Sequence, residues 1–184
     1  RWKVTDKDVL AALAPIIGGP SMVPCWLIAP QAPARVVMLE RFDPEAALKL
    51  IEHEKVTIAS GVPARMAMIV NHPSIDKYDY SSLRAFFYAG SVCPYNIAEL
   101  VEAKMGCRII TNLGSVDASI PCGVSIDDPP EVRRLSVGKP LPGAEIKLID
   151  EGGKEAPTGK IGEIIWRGPS CGPGYYEDNE ATLS

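Results

Sequence analysis

The sequence has few of the residues that build metal, redox or nucleic-acid sites. Its 184 residues include two histidines and five cysteines, and no two cysteines have CxxC or metal-ligand spacing. The 19 lysines and arginines are scattered along a chain of formal net charge −4, which leaves no clustered basic face for phosphates. No GxGxxG follows a strand pattern. These absences argue against a cysteine-ligated metal protein, a nucleic-acid-binding protein and a Rossmann dehydrogenase.

Long uninterrupted apolar runs are absent too. Four prolines divide the most apolar stretch, 20–34, and a bilayer-spanning helix does not tolerate such interruption. No leader pattern with a cleavage site is visible. The cysteines lie mostly in apolar runs, as expected of reduced thiols packed as small hydrophobic residues: Cys25, Cys93, Cys107, Cys122 and Cys171. We therefore predict a cytoplasmic protein without a transmembrane segment.

What the chain does contain is enough apolar sequence for a substantial core. Hydrophobic residues make up 46% and charged residues 23%, the balance of a soluble domain or of two small subdomains. The sequence opens at Arg1 without a methionine and stops at Ser184 without a clear terminating signal. We expect it to be cut from a longer protein.

Strand and helix patterns alternate between residues 35 and 110. Short apolar runs predict strands at 35–39, 56–59, 83–88 and 107–110, and helical patterns predict helices that begin near Asp43 and run over 64–70 and 94–105. This alternation indicates βαβ units and a parallel sheet. Ligands bind at the carboxyl ends of such strands, which makes 60–63, 89–93 and 112–117 candidate site loops.

The pattern changes near residue 125. Period-two alternation predicts strands at 145–150 and 162–167, and no helix is needed in this half. We predict an α/β fold with a parallel sheet built from βαβ units in residues 1–124. A smaller, mostly antiparallel and barrel-like β subdomain follows in residues 125–184.

One stretch carries a lone carboxylate in mostly uncharged surroundings. TNLGSVDASIPCG, residues 111–123, leaves a strand through a glycine and places Asp117 shortly afterwards. Two interpretations stay open from the residues alone. The carboxylate caps a turn or helix, or it faces a ligand at the end of the sheet.

Several ordered segments resemble the adenylate-forming enzyme superfamily, which includes acyl- and aryl-CoA synthetases, luciferases and peptide-synthetase adenylation domains. GKIGEIIWRGPSCGPGYYEDNEAT (159–182) is similar to the family's G-E-[IL]-x-x-x-G-P-x-x-x-x-G-Y block. VGKPLPGAEIKLID (137–150), RFDPEAALKLIEHEKVTIASGVPARM (41–66) and SSLRAFFYAGSVCP (81–94) resemble further family segments in the same order. The resemblance covers nearly the whole chain.

The resemblance implies a nucleotide site. TNLGSVD then matches the family's Y-G-x-T-E motif, with Leu113 for tyrosine, Gly114 kept, Ser115 variable, Val116 for threonine and Asp117 for glutamate. We expect Asp117 to bind Mg²⁺, whose preferred ligands are hard oxygens. Leucine stacks less well on adenine and valine donates no hydrogen bond, so weaker nucleotide binding is expected. The remaining residues of the implied adenine pocket are Gly90, Ser91, Val92 and Asn112.

The resemblance also implies an acid-binding wall and a reaction. The wall candidates are Val62, Met66, Tyr88 and Ile120, for which ordinary core packing is the alternative. Implied substrates are a carboxylic acid, ATP with Mg²⁺, and coenzyme A. The family's phosphate loop, ribose-binding aspartate and catalytic lysine have no counterpart in 1–184. We therefore expect the middle of a larger N-terminal domain, with no catalytic residue of its own and no activity alone.

Three classes of function remain open at this point. The first is a carboxylate–CoA ligase acting on fatty or aryl acids, or an aryl-acid adenylating enzyme that delivers to a carrier-protein thiol. The second is a catalytically degenerate nucleotide- or acyl-binding relative, suggested by Leu113 and Val116. The third is an α/β scaffold without a small-molecule site.

Overall fold

The computed structural model describes residues 1–116 and 118–183, which form a seven-stranded sheet flanked by helices and a separate two-stranded ribbon. The strands are β1 (Val9–Ala12), β2 (Arg35–Met38), β3 (Ile58–Gly61), β4 (Ala85–Tyr88), β5 (Arg108–Ser115), β6 (Ser119–Gly123), β7 (Lys139–Pro140), β8 (Glu145–Ile149) and β9 (Glu163–Arg167). The α-helices are α1 (Gly19–Met22), α2 (Pro44–His53), α3 (Pro63–Val70), α4 (Tyr95–Met105), α5 (Pro130–Leu135) and α6 (Asn179–Leu183). A π-helical segment spans Val23–Ile28, and short 3₁₀ turns span Ala29–Gln31 and Ile75–Lys77.

The large sheet has the strand order β2-β1-β3-β4-β5-β6-β7. Its first five strands are parallel, and β6 and β7 continue it in antiparallel pairing. The predicted α/β fold with a parallel sheet is confirmed. The sequence prediction missed β1, which lies between β2 and β3, because its four residues VLAA sit in an opening segment without a matching helix pattern.

Each face of the sheet has its own core. Helices α2, α3 and α4 cover one face, where Leu48, Met66 and Val101 pack with Phe86 and Ile109 of the strands. The opposite face carries a second apolar cluster of Leu10, Ile58, Phe87, Ile110 and Val124, with Trp2 and Val4 packed against it. The strands β3 and β4 are therefore buried along their whole length, as expected of parallel strands covered on both sides.

The helix starts that the sequence predicts have a visible local cause. Asp43 is the N-cap of α2, and its carboxylate accepts a hydrogen bond of 2.8 Å from the backbone N–H of Ala46. Proline follows at the first helical position, where its missing N–H costs nothing. The helices predicted over 64–70 and 94–105 are present as α3 and α4.

The strand predicted to end at Ile110 is longer than expected. β5 continues to Ser115 and pairs with β6 through Asn112↔Gly123 and Leu113↔Cys122, with a bulge between Leu113 and Ser115. Most of the predicted loop 112–117 therefore belongs to a β-hairpin. The polar and glycine residues there suggested a turn, but cross-strand pairing outweighs that local preference.

Two helices lie in the second half, where none was predicted, so that expectation was wrong. α5 begins at Pro130, whose fixed backbone angle suits the first turn, and α6 follows the segment after β9. The predicted strands are present as the β8–β9 ribbon, which pairs in antiparallel register from Glu145↔Arg167 to Ile149↔Glu163. The predicted division of the chain after residue 124 stays a prediction.

Among residues 1–116 and 118–183, no helix combines the length and the apolar character needed to cross a membrane.

Candidate functional site

A cleft of about 840 Å³ opens at the carboxyl ends of β4 and β5, and is called here the β4–β5 cleft. One wall is the segment after β4 and the start of α4, another is the outer part of β5, and the third is the end of α5 with the residues that follow it. The lining residues are Tyr88, Gly90, Ser91, Val92, Cys93, Pro94, Tyr95, Thr111, Asn112, Leu113, Gly114, Arg134, Leu135, Ser136 and Val137.

This cleft brings together most of the residues predicted for the adenine pocket. The two contributing segments, 90–92 and 112–114, are separated by 19 residues in the sequence and meet because β4 and β5 are paired. Ser115 and Val116 are not among its lining residues, and the Val116 side chain is 89% exposed. Asp117 lies outside the described residues, so its predicted role as a metal ligand stays a prediction.

The β5–β6 hairpin leaves little room for a side chain at position 114, which explains the glycine there. A methyl group built on its Cα would lie 3.0 Å from Cγ1 of Ile120 and 3.2 Å from the carbonyl oxygen of Ser119. Contacts this short would push β5 and β6 apart. Gly114 therefore allows close packing of the β5–β6 hairpin, in which the neighbouring Leu113 lines the cleft.

The floor of the β4–β5 cleft is uncharged. Burial raises the pKa of Tyr88, the nearby Cys93 adds to the rise, and the Thr111 hydroxyl opposes it. Burial likewise raises the pKa of the Cys93 thiol. Thr111 Oγ1 donates a 2.9 Å hydrogen bond to the backbone oxygen of Tyr88, which ties β5 to β4 below the cleft. Neutral phenol and thiol groups here suit binding rather than nucleophilic attack.

A buried ion-pair network supports the wall made by α5. The Glu102 carboxylate accepts hydrogen bonds from Arg133, from Nε of Arg134 at 2.6 Å and from the backbone N–H of Ile109 at 2.9 Å. Burial raises the pKa of Glu102, but these donors lower it by more, and the net pKa lies below its ordinary value. The network joins α4, β5 and α5 around one carboxylate.

This network extends to an aromatic ring at the rim. The Arg134 guanidinium lies over the Tyr95 ring, 5.6 Å from its centroid, and its Nη1 donates to the Tyr95 hydroxyl at 3.2 Å. Sequence reasoning missed both residues. Arg133 and Arg134 are adjacent in the sequence PPEVRRL, which does not show that they contact α4. Their orientation depends on helix α5, which was not predicted.

A second cleft, of about 790 Å³, lies on the other side of the β5–β6 hairpin and is called here the β6–β7 cleft. Its walls are largely apolar. Arg1 lies at its edge and donates to the carbonyl oxygens of Gly123 and Pro140, which joins β6 to β7. The lining residues are Arg1, Trp2, Lys3, Val4, Val23, Leu27, Ile28, Gln31, Ala32, Asn112, Ile120, Cys122, Gly123, Val124, Pro140, Leu141 and Pro142.

The two clefts share Asn112, and the predicted acid-wall residues divide between several places. Ile120 lines the β6–β7 cleft and Tyr88 the β4–β5 cleft. Val62 is the N-cap of α3, and its Cγ1 would lie 3.9 Å from a methyl group on Gly90, so it stands beside the β4–β5 cleft. Met66 is completely buried among core residues and lines neither cleft.

The described part of the chain holds no group of three or more histidine, cysteine, aspartate or glutamate side chains arranged to bind a metal ion. All five cysteines are free, and four are buried, as the sequence predicted. The arrangement around the β4–β5 cleft can therefore bind and orient a molecule through backbone, apolar and aromatic surfaces.

Comparison with solved structures supports the fold in detail. The chain superposes on the crystal structure of ATP-bound MatB from Rhodopseudomonas palustris with a TM-score of 0.87 and 26% sequence identity. That match covers 99% of this chain and 36% of the MatB chain.

Sequence comparison identifies the family. The chain is 36% identical to pyochelin synthase PchD of Pseudomonas aeruginosa and 32% identical to the medium-chain fatty-acid–CoA ligase of Escherichia coli. These matches cover 79% and 81% of this chain, and 26% of each relative, so the chain spans about a quarter of their length. The model of the AMP-binding enzyme family matches residues 1–176. The chain therefore belongs to the AMP-binding enzyme family.

Proposed function

We propose that the full-length protein carrying these residues is an ATP-dependent carboxylate–CoA ligase. In the first step a carboxylate oxygen attacks the α-phosphorus of ATP, and pyrophosphate leaves as the acyl-adenylate forms. In the second step the thiol of coenzyme A attacks the acyl carbon, which releases AMP and gives the thioester. These residues contribute binding surfaces to both substrates of the first step.

The observation that carries this proposal is the composition of the β4–β5 cleft. Gly90, Ser91 and Val92 face Asn112, Leu113 and Gly114 across it, and all six are residues that the family resemblance assigns to the nucleotide. Its size, about 840 Å³, is within the usual range for a cofactor pocket. Its uncharged floor and the aromatic ring at its rim suit a purine base.

The β6–β7 cleft is the proposed site for the apolar part of the acid. Its walls are mainly aliphatic, and it meets the β4–β5 cleft at Asn112, so a carboxylate between the two could reach a bound nucleotide. Ile120 is the predicted acid-wall residue that lines it. An apolar groove of this kind suits a fatty or aryl acid.

Magnesium remains part of the proposal through Asp117. Mg²⁺ is commonly held by one or two carboxylates together with substrate phosphates, so a single aspartate is a sufficient protein contribution. Bound there, the ion would neutralise charge on the phosphates.

We further propose that residues 1–184 alone are inactive, because the phosphate loop, ribose-binding aspartate and catalytic lysine that the family resemblance implies have no counterpart among them. Purified 1–184 should release no pyrophosphate from ATP with any acid. Turnover by this segment would contradict that part of the proposal.

The test of the main proposal is pyrophosphate release by the full-length protein with a panel of fatty and aryl acids, followed by thioester formation on addition of coenzyme A. Release that depends on both ATP and one class of acid is expected. If no acid stimulates release, the ligase proposal fails. If release occurs without thioester formation, the acceptor is a different thiol, such as that of a carrier protein.

One observation favours a second candidate, a nucleotide- or acyl-binding protein without turnover. Val116 stands where the family has a hydroxyl residue, and its exposed side chain offers no hydrogen-bond donor to a phosphate. Such a protein would bind ATP in calorimetry yet release no pyrophosphate. Val116→Thr would then leave release absent, whereas in a working ligase it would raise the rate.

A further inference from the structure

Tyr95 places an aromatic side chain at the start of α4, beside the β4–β5 cleft. It is the first residue of α4, lines the β4–β5 cleft and is 45% exposed. The only other aromatic residue among those lining the cleft, Tyr88, is buried at its floor. Tyr95 is thus the one lining residue that combines an aromatic ring with substantial exposure to solvent.

The position of the ring is fixed by Arg134, which lines the same cleft. Arg134 contacts it through the guanidinium group and through the hydrogen bond to its hydroxyl. Arg134 is itself fixed by Glu102, and its Nη1 also lies 3.3 Å from a carboxylate oxygen of Glu99. A ring fixed in this way loses little conformational entropy when a flat molecule packs against it.

Leu113, on the β5 side of the cleft, can give a base apolar contact but no π-surface. We propose that the Tyr95 ring supplies the aromatic contact with the nucleotide base in the β4–β5 cleft, so that Tyr95 determines affinity for the base. This inference rests on the proposed function, because it requires a nucleotide in this cleft. Every nucleotide base has a π-face that can stack on an aromatic side chain.

The experiment uses the full-length protein in three forms: wild type, Tyr95→Phe, which keeps the ring, and Tyr95→Leu, which keeps an apolar side chain without the ring. The dissociation constants for ATP and for inorganic tripolyphosphate, which has no base, are measured by calorimetry. We expect Tyr95→Leu to weaken ATP binding by about threefold to tenfold, with tripolyphosphate unchanged. Tyr95→Phe should stay within about twofold of wild type for both ligands.

The comparison separates a base contact from a structural role. Equal ATP affinities for Tyr95→Leu and Tyr95→Phe overturn the inference, and so does equal weakening of ATP and tripolyphosphate binding by Tyr95→Leu. In either case a wild-type protein that still binds ATP and releases pyrophosphate leaves the proposed function standing. A wild-type protein that binds no ATP overturns the proposed function itself.

Discussion

The parallel sheet and the β8–β9 ribbon differ in how far their strands are buried. Every residue of β3 and β4 is buried, and their sequences IASG and AFFY are continuous in apolar or small residues. No residue of β8 or β9 is buried, and their sequences EIKLI and EIIWR each contain two charged residues. The sheet is covered on two faces, whereas the ribbon is half-covered on one.

The polar interactions follow the same division. In the sheet region Asp8 and Arg133 are buried, the Glu102 side chain is only 9% exposed, and all three form ion pairs. In the ribbon the Arg167–Glu145 pair, 2.8 Å apart, is largely exposed. Similar ion pairs therefore contribute different amounts to the free energy of unfolding in the two regions, because the penalty for breaking a pair is larger when its charges are buried away from water.

The largest expected effect is at Glu102. Glu102→Gln leaves Arg133 buried without a countercharge, and we expect it to lower the free energy of unfolding by about 3 to 5 kcal/mol. The matched change in the ribbon, Glu145→Gln, removes an exposed pair and should cost less than about 1 kcal/mol. Urea denaturation of the full-length protein measures both. Equal losses would show that the two regions do not differ in this respect.

Acid should weaken the sheet through Asp8. Burial raises the Asp8 pKa, but hydrogen bonds from Arg84, Thr57 and Thr5 lower it by more, to about 2 from 3.8. A lowered folded-state pKa gives stability that is complete above about pH 4 and is lost as the pH falls towards 2, on the order of 2 kcal/mol.

The control for this pH dependence is Asp8→Asn, which has no proton to gain. The difference in unfolding free energy between wild type and Asp8→Asn, measured from pH 6 to pH 2, should shrink as the pH falls. A difference that stays constant over this range would contradict the prediction.

A single methylene tests packing in the two regions. Ile110→Val in β5, where the side chain is fully buried, should lower stability by about 1 kcal/mol. Ile165→Val in β9 makes the same chemical change at a half-exposed position and should cost only a few tenths of that amount. Urea midpoints of the two variants provide the measurement, and a larger loss at Ile165 would reverse the comparison.

A small effect is also expected at the link between the regions. Trp166 Nε1 donates a 2.9 Å hydrogen bond to the carbonyl oxygen of Ala118, which connects the ribbon to the β5–β6 hairpin. Trp166→Phe removes this donor and should cost about 0.5 kcal/mol. Hydrogen exchange at the amides of β6 should become faster in the variant. Unchanged exchange rates at the β6 amides would mean that the ribbon does not stabilise the hairpin.

The sequence was sufficient for the features that depend on local pattern. The α2 start at Asp43–Pro44, the helices α3 and α4, and both ribbon strands follow from caps and periodicity that neighbouring residues carry. β1 was missed because its four residues lie in an opening segment without a matching helix pattern. α5 was missed although it pairs Arg133 with Glu102, because that ion pair joins residues 31 positions apart in the sequence.

The candidate site shows the same limit. Gly90 and Leu113 were assigned by resemblance to a family motif, which transfers positions in the sequence. Tyr95 and Arg134 lie outside that motif and become neighbours only through contacts between α4 and α5. Long-range side-chain pairs of this kind leave no mark in a single sequence.

Asn112 forms part of the wall of both clefts. A change of size at this one side chain would therefore alter the space on either side of the hairpin at once. Under the proposed function, enlarging position 112 to alter acid preference would also disturb the fit of the nucleotide, whereas Ile120 lines the β6–β7 cleft and not the β4–β5 cleft. A redesign of the proposed acid site should therefore begin at Ile120 rather than at Asn112.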